Sequence, residues 1–141
     1  MRTLSDIVYN QNPLMLLPSI SVKEACEQMR SRRAGSVVIA NESGYLVGIF
    51  TGRDAVCRVL AAGKNAETTK LAEVMTPAPM TMSSKKTAID ALRLMWDGGF
   101  RHVPVVETGK VIGVVSRGDF KGDEQTRLDE ERALWEQMRA L

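Results

Sequence analysis

Two stretches of this chain repeat each other, and the repeat constrains the fold more than any other feature. GYLVGIFTGRD (44–54) lies over GKVIGVVSRGD (109–119): Gly44, Gly48, Thr51 and Asp54 fall on Gly109, Gly113, Ser116 and Asp119, always 65 positions apart. Upstream, PLMLLPSISVKEACEQM (13–29) lies over PMTMSSKKTAIDALRLM (79–95), with Pro13, Ala25 and Met29 on Pro79, Ala91 and Met95, always 66 apart. The two spacings imply a single deletion in the second copy, which this alignment puts between Met95 and Phe100. A duplicated unit of about 60 residues follows. Neither half of a 141-residue chain has enough core to be stable alone, so the halves are expected to close on each other.

Each copy has the same local grammar. Ser21-x-x-Glu24 and Thr87-x-x-Asp90 resemble capping boxes, in which a side chain at each end satisfies a backbone donor of the first turn. Val22, Ala25, Cys26 and Met29 then make one apolar helix face, as do Ala88, Ala91, Leu92 and Met95. SVVIA and YLVGIF around NESG read as a hairpin, as do HVPVV and KVIGVV around ETG. Pro104 has no N–H, so it must sit where the ladder needs no donor, near an edge or a strand start. A further helix is expected from Thr51 to about Gly63, and Gly122 is expected to cut its counterpart short. Glycines 98 and 99 are expected to form the turn before Phe100.

The fold class is therefore α/β (α+β): two tandem β-α-β-β-α units, 1–63 and 71–122, packed pseudo-symmetrically through their sheets. Residues 64–70 link them, LAEVM (71–75) leads into the second copy, and 123–141 form a C-terminal amphipathic helix. That last helix carries Leu128, Leu134, Trp135, Met138 and Leu141 at near-helical spacing. Residues 121–141 hold four basic and six acidic side chains, so this helix needs a surface to cover. Its own module, an identical subunit or a different protein would each supply one.

Composition excludes several classes of function. A net charge of +2 is too weak to point to nucleic acid. The opening MRTLSDIVYNQN has no apolar run of a signal peptide, and no stretch is long enough to cross a membrane, so the cytoplasm is the expected location. Cys26 and Cys57 have no paired spacing and are expected to be buried small hydrophobes. The one histidine, His102, lies in no Cys/His cluster, so no metal is expected. No activated nucleophile is recognisable, which argues against an enzyme. Arg30, Arg32 and Arg33 read as a solvated basic turn.

The repeated unit, a hairpin running into Gly-h-h-Thr/Ser-x-x-Asp (h apolar), resembles a CBS domain, and two in tandem resemble a CBS pair, or Bateman module. The likeness rests on GIFTGRD, GVVSRGD, FRHVPVV, LAEVMTPAPMTMSS and the doubled helix pattern, and covers roughly residues 5–121. It implies a regulatory module that binds an adenosine-containing ligand between the repeats: AMP, ADP, ATP, S-adenosylmethionine or an NAD-type dinucleotide. It also implies a homodimer that signals by conformational or oligomeric change; a protein effector at the C-terminal helix is a separate reading, from that helix's own apolar residues.

The resemblance further implies ribose-binding roles for Asp54 and Asp119. A carboxylate offers two oxygens to the two hydroxyl donors of a vicinal diol. Thr51 or Ser116 would face the phosphate at a helix start, with Arg53 and Arg117 adding charge. Adenine would lie against backbone near Val37–Val38 and Val103–Pro104, and Arg101 and His102 would touch phosphate. Because Gly35-Ser36-Val37 offers no cation at the matching place, the two sites are unequal. The phosphorylated ligand is expected first at Asp119, Ser116, Arg101 and His102, and second at Asp54 and Thr51. Both motifs would also serve simply as helix N-caps. The alternative function is a non-catalytic interaction or dimerisation scaffold with no nucleotide.

Overall fold

The computed structural model describes residues 1–140; Leu141, expected on the apolar face of the last helix, lies outside them. The chain runs α1 (Leu4–Val8), β1 (Met15–Leu16), α2 (Val22–Arg32), β2 (Ser36–Ala40) and β3 (Leu46–Thr51). It continues as α3 (Gly52–Asp54) and a π-helix (Ala55–Leu60), then α4 (Leu71–Val74), β4 (Thr76–Pro77) and β5 (Met82–Ser83). α5 (Ala88–Gly98), β6 (His102–Glu107), β7 (Lys110–Ser116), a 3-10 turn (Arg117–Asp119) and α6 (Gly122–Arg139) complete it. The strands form two sheets, ordered β1-β2-β3-β4 and β5-β6-β7. In each, a short leading strand pairs parallel to the first arm of an antiparallel hairpin.

Each half has its own apolar core, and each core borrows a helix from beside the other half. Leu71 and Val74 of α4 join Val22, Ala25, Val37 and Phe50, whereas Leu4 and Val8 of α1 join Ala91, Met95, Val103 and Val115. The backbone fixes both crossings in the same way. The Leu4 N–H donates to the Lys86 carbonyl at 2.8 Å and the Ala88 N–H to Arg2 at 2.9 Å. In the other half, Leu71 donates to Ile20 and Val22 to Thr69, both at 2.9 Å. Sequence copy and packing unit therefore do not coincide: α1 lies outside the core of the copy that contains it.

The repeated glycines mark the crossing points. A Cβ on Gly113 would lie 2.5 Å from Val8 Cβ, and one on Gly48 would lie 2.4 Å from Met75 Sδ and 3.0 Å from the Thr76 carbonyl. Each is bare because the crossing segment lies directly on the strand. Around them the halves differ. β4 pairs with β3 at Gly48 and Ile49, but among the described residues no strand pairs with β7 at the matching place. There Gln11 substitutes a side-chain carbonyl for a strand, accepting the Val114 N–H at 2.8 Å.

Several local expectations need correction. The deletion falls in the hairpin turn, not between Met95 and Phe100. Arg33 and Gly99 are matching left-handed helix caps, and Ser36–Thr51 and His102–Ser116 are matching strand pairs, so the copies stay in step until the turn. Glycines 98 and 99 are accordingly the last residue of α5 and its cap. Gly122 opens a helix; the preceding turn ends because Phe120 is extended, with φ −90° and ψ 143°. Thr87 and Asp90 form a reciprocal box, while Ser21 alone caps its helix. The helix after Thr51 changes to i→i+5 bonds, Ala61 N–H to Val56 and Lys64 N–H to Val59, before reaching Gly63 in the left-handed region. Ala55 and Val59 face the core, so Cys57, two residues from each, lies on the far side of this helix and is exposed, and Cys26 is half-buried.

Pro104 sits third in β6, the central strand of its sheet. It is tolerated because its partner Val114 donates away from it, to Gln11, and because β5 begins only opposite Val105. Its counterpart Val38 does have an N–H and donates it to Leu14 at 2.8 Å. β1–β2 and β5–β6 each make two bridges, but shifted by one: Met15 meets Val38, whereas β5 starts opposite Val105 and leaves Pro104 unmatched.

α6 buries Leu128 on α5 and ion-pairs Glu131 with Arg93 at 2.8 Å. Leu134, Trp135 and Met138, expected on a covered apolar face, are all more than half exposed. The pairings of α6 with Arg93 and Asp97 run parallel to α5, which stops at Gly98, so the last turns of α6 extend past their support.

Candidate ligand-binding site

The end of each hairpin presents its motif in the same form. The Thr51 N–H and hydroxyl both donate to Asp54 Oδ2, at 2.9 and 3.1 Å, and the Asp54 N–H returns a bond to Thr51 Oγ1. In the second copy the Ser116 N–H and hydroxyl donate to Asp119 Oδ2, at 2.7 and 3.2 Å. The carboxylate thus accepts the N–H and hydroxyl in both copies, but among the described residues only Asp54 returns a bond to its hydroxyl oxygen. This arrangement uses one carboxylate oxygen and commits the only proton of the Thr51 hydroxyl. Asp54 keeps Oδ1, which faces Arg58 Nε at 3.5 Å, beyond a good hydrogen bond, so it retains lone pairs for another donor.

A cleft of about 750 Å³ opens beside the first motif, within the size range of small-molecule pockets. Thr51, Arg53 and Asp54 form one wall; Ala78, Pro79 and Met80 form a second; Arg101 and His102 close the third. Segment 78–80 stands off the sheet where Pro104 offers no donor. Ala78 is held at φ +43°, and Met80 is 57% exposed against 5% for its counterpart Leu14. The cleft therefore combines residues of both copies.

The cations join the first motif, whereas the sequence paired them first with the second. Arg101 and His102 line the cleft with Asp54; Ser116, Arg117 and Asp119 do not line it. Val37, Val38, Val103 and Pro104 are buried in the two sheets behind it. Gly35, at the place of Arg101 in the first copy, lies beside the imidazole: a Cβ there would touch His102 Nε2 at 3.4 Å. Segment 78–80 and Gly35 were missed as wall residues, and the only sequence signals for them were Pro79 and a bare glycine ahead of a strand.

His102 lies at the seam and feels both copies. Burial pushes its pKa below the usual value, Asp119 and Asp54 pull it up, and Arg101 pushes it down. Because burial leads, the folded protein resists a proton that the unfolded chain accepts near pH 6.5. Stability is therefore expected to fall as pH drops below about 6.5, until the folded group also protonates. Thermal melts at pH 7.5 and 5.5 should show a larger loss for the parent than for His102→Gln; equal losses would contradict this.

The CBS domain family matches residues 4–60 and 71–122. This chain is a tandem pair of CBS domains. The CBS domain-containing protein CBSCBSPB1 of Arabidopsis thaliana is 40% identical over 109 residues, which is 77% of this CBS pair and 20% of the relative. The pair thus spans about a fifth of that relative's length. The CBS pair of MJ0100, solved with 5′-methylthioadenosine and S-adenosyl-L-methionine, superimposes with TM-score 0.75 at 27% identity, covering 83% of this chain and 94% of that one. CBSX2, solved with AMP, gives 0.68 at 26% identity, covering 84% and 92%. Among the described residues no helix is long and apolar enough to cross a membrane.

Proposed function

We propose that this CBS pair is a regulatory, non-catalytic sensor of an adenosine phosphate of the AMP class, held in the cleft beside Asp54. The observation that carries the reading is the convergence of Asp54, Arg53, Arg101 and His102 on one cleft between the repeats. Asp54 Oδ1 would accept from the ribose hydroxyls, and the apolar backs of the two sheets would flank the base. Arg53 and Arg101 would meet the phosphate. Two guanidiniums against one carboxylate that is already partly satisfied favour an anion over the cationic sulfonium of S-adenosylmethionine. The neighbours solved with AMP and with methylthioadenosine and S-adenosylmethionine support the adenosine class. Output would pass through a change in how the halves sit or in assembly, since an effect of ligand on output requires the reverse effect on affinity.

Calorimetric titration with AMP, ADP, ATP, NAD+, adenosine and S-adenosylmethionine tests this. AMP is expected to bind more tightly than adenosine, and adenosine more tightly than S-adenosylmethionine. Silence across the series, with the chain folded, would overturn the nucleotide reading. It would favour the interaction-scaffold reading, for which the exposed Leu134, Trp135 and Met138 are the supporting observation.

A further inference from the structure

The two motifs share a backbone form and differ in what surrounds them. At the first, Gly52 has open space where a side chain would project, and Arg53 is exposed at the cleft. At the second, other groups of this chain bind around the motif. Arg2 Nη2 donates to the Asp119 carbonyl at 2.9 Å and to Glu124 Oε1 at 2.6 Å, and its Nε donates to Oε2 at 3.2 Å. Glu124 is only 7% exposed and also accepts the Lys121 N–H at 2.8 Å. This forked pair fastens the segment before α1 to the motif and to the first turn of α6 at once. Arg117, at the place of Gly52, lies 4.8 Å above the Trp96 ring, which Arg132 of α6 also covers at 5.3 Å. Gly118 replaces Arg53, so the cation facing the first cleft has no counterpart.

The opposite wall differs in the same sense. Gln11 holds the Val114 N–H, Arg32 donates to the Asn12 carbonyl, and Leu14 is buried where Met80 is open. We infer that the second Ser-x-x-Asp motif works as an internal anchor for Arg2 and α6, so that the chain takes one adenosine ligand, at Asp54. This single-ligand claim rests on the reading of the cleft given above; the anchoring claim does not. It also places α6 on the motif that ligand leaves alone, so α6 would keep its seat in free and bound states.

The full chain tests both claims. Glu124→Gln keeps an acceptor for Lys121 while removing the charge, and Arg2→Met removes the fork. In both, amide hydrogen exchange over 116–128 is expected to quicken by about tenfold or more, with AMP affinity within about twofold of the parent. The parent should bind one AMP, moving the Gly52 amide resonance and leaving that of Gly118 in place. Two AMP per chain, a Gly118 shift matching that of Gly52, or unchanged exchange in both variants would overturn the inference. If AMP does not bind, the cleft reading fails by itself, and exchange decides the anchor: faster exchange supports it and unchanged exchange overturns it.

Discussion

An Arg101→Ala chain is expected to bind AMP about 10- to 30-fold more weakly than the parent and to bind adenosine equally well. The argument is one of charge and position. Arg101 is exposed at the cleft rim, opposite the wall that carries Asp54, so its guanidinium reaches the ligand without supporting the core. Hydrogen bonds to charged groups contribute about 1.5–3 kcal/mol, and exposure to solvent moves the expectation toward the lower end of that range. Added salt should weaken AMP binding by the parent and have less effect on the variant, because screening removes what the substitution has already removed. The thermal midpoint should not move. Equal losses for AMP and adenosine would place Arg101 on the base or sugar side and reverse the orientation argued here.

Gly113→Val is expected to be the most damaging single change to the fold. A Cβ there would lie 2.5 Å from Val8 Cβ and 2.8 Å from Val8 Cγ1, closer than non-bonded carbons approach. Val8 is 4% exposed in the second core, so it has little room to retreat without lifting α1 off β7. Overpacking of a close-packed core costs about 1–3 kcal/mol and more where a rigid element must move. Loss of the Leu4 and Val8 contacts would add to it, for an expected total of about 3 kcal/mol or more. A fall of about 10 °C or more in the thermal midpoint follows for a domain of this size. Gly118→Val, where nothing lies within 4 Å, is the matched control and should be nearly neutral. If the two variants melt alike, α1 does not lie against β7 as described.

What the residues revealed in advance was what local chemistry decides. The helix caps at Ser21, Thr51 and Thr87, the apolar faces of α2 and α5, and both hairpins follow from side chains within a few residues of one another. The features that escaped depend on distant partners. Nothing in LSDIV says that Leu4 and Val8 will be buried beside Met95 and Val115; that follows only from the strand end on which α1 can rest. The i→i+5 turn has no composition signal, since Ala55–Leu60 reads as an ordinary helix. The deletion was misplaced because the alignment had no matched position between Met29/Met95 and Gly44/Gly109 to hold it. Arg101 and His102 were paired first with Asp119, whereas both line the cleft that holds Asp54. The same cleft is walled by 78–80, which lie where Pro104 lacks an N–H, a tertiary arrangement with no local signal.

The most direct test of the account is an amide spectrum of the intact chain during titration with AMP. The resonances of Gly35, Gly52, Ala78 and His102 should move together and saturate at one ligand. These four come from both copies and meet only at the cleft. If millimolar AMP leaves all four in place in a folded protein, or moves them without saturating, the seam between the repeats is not where an adenosine phosphate binds.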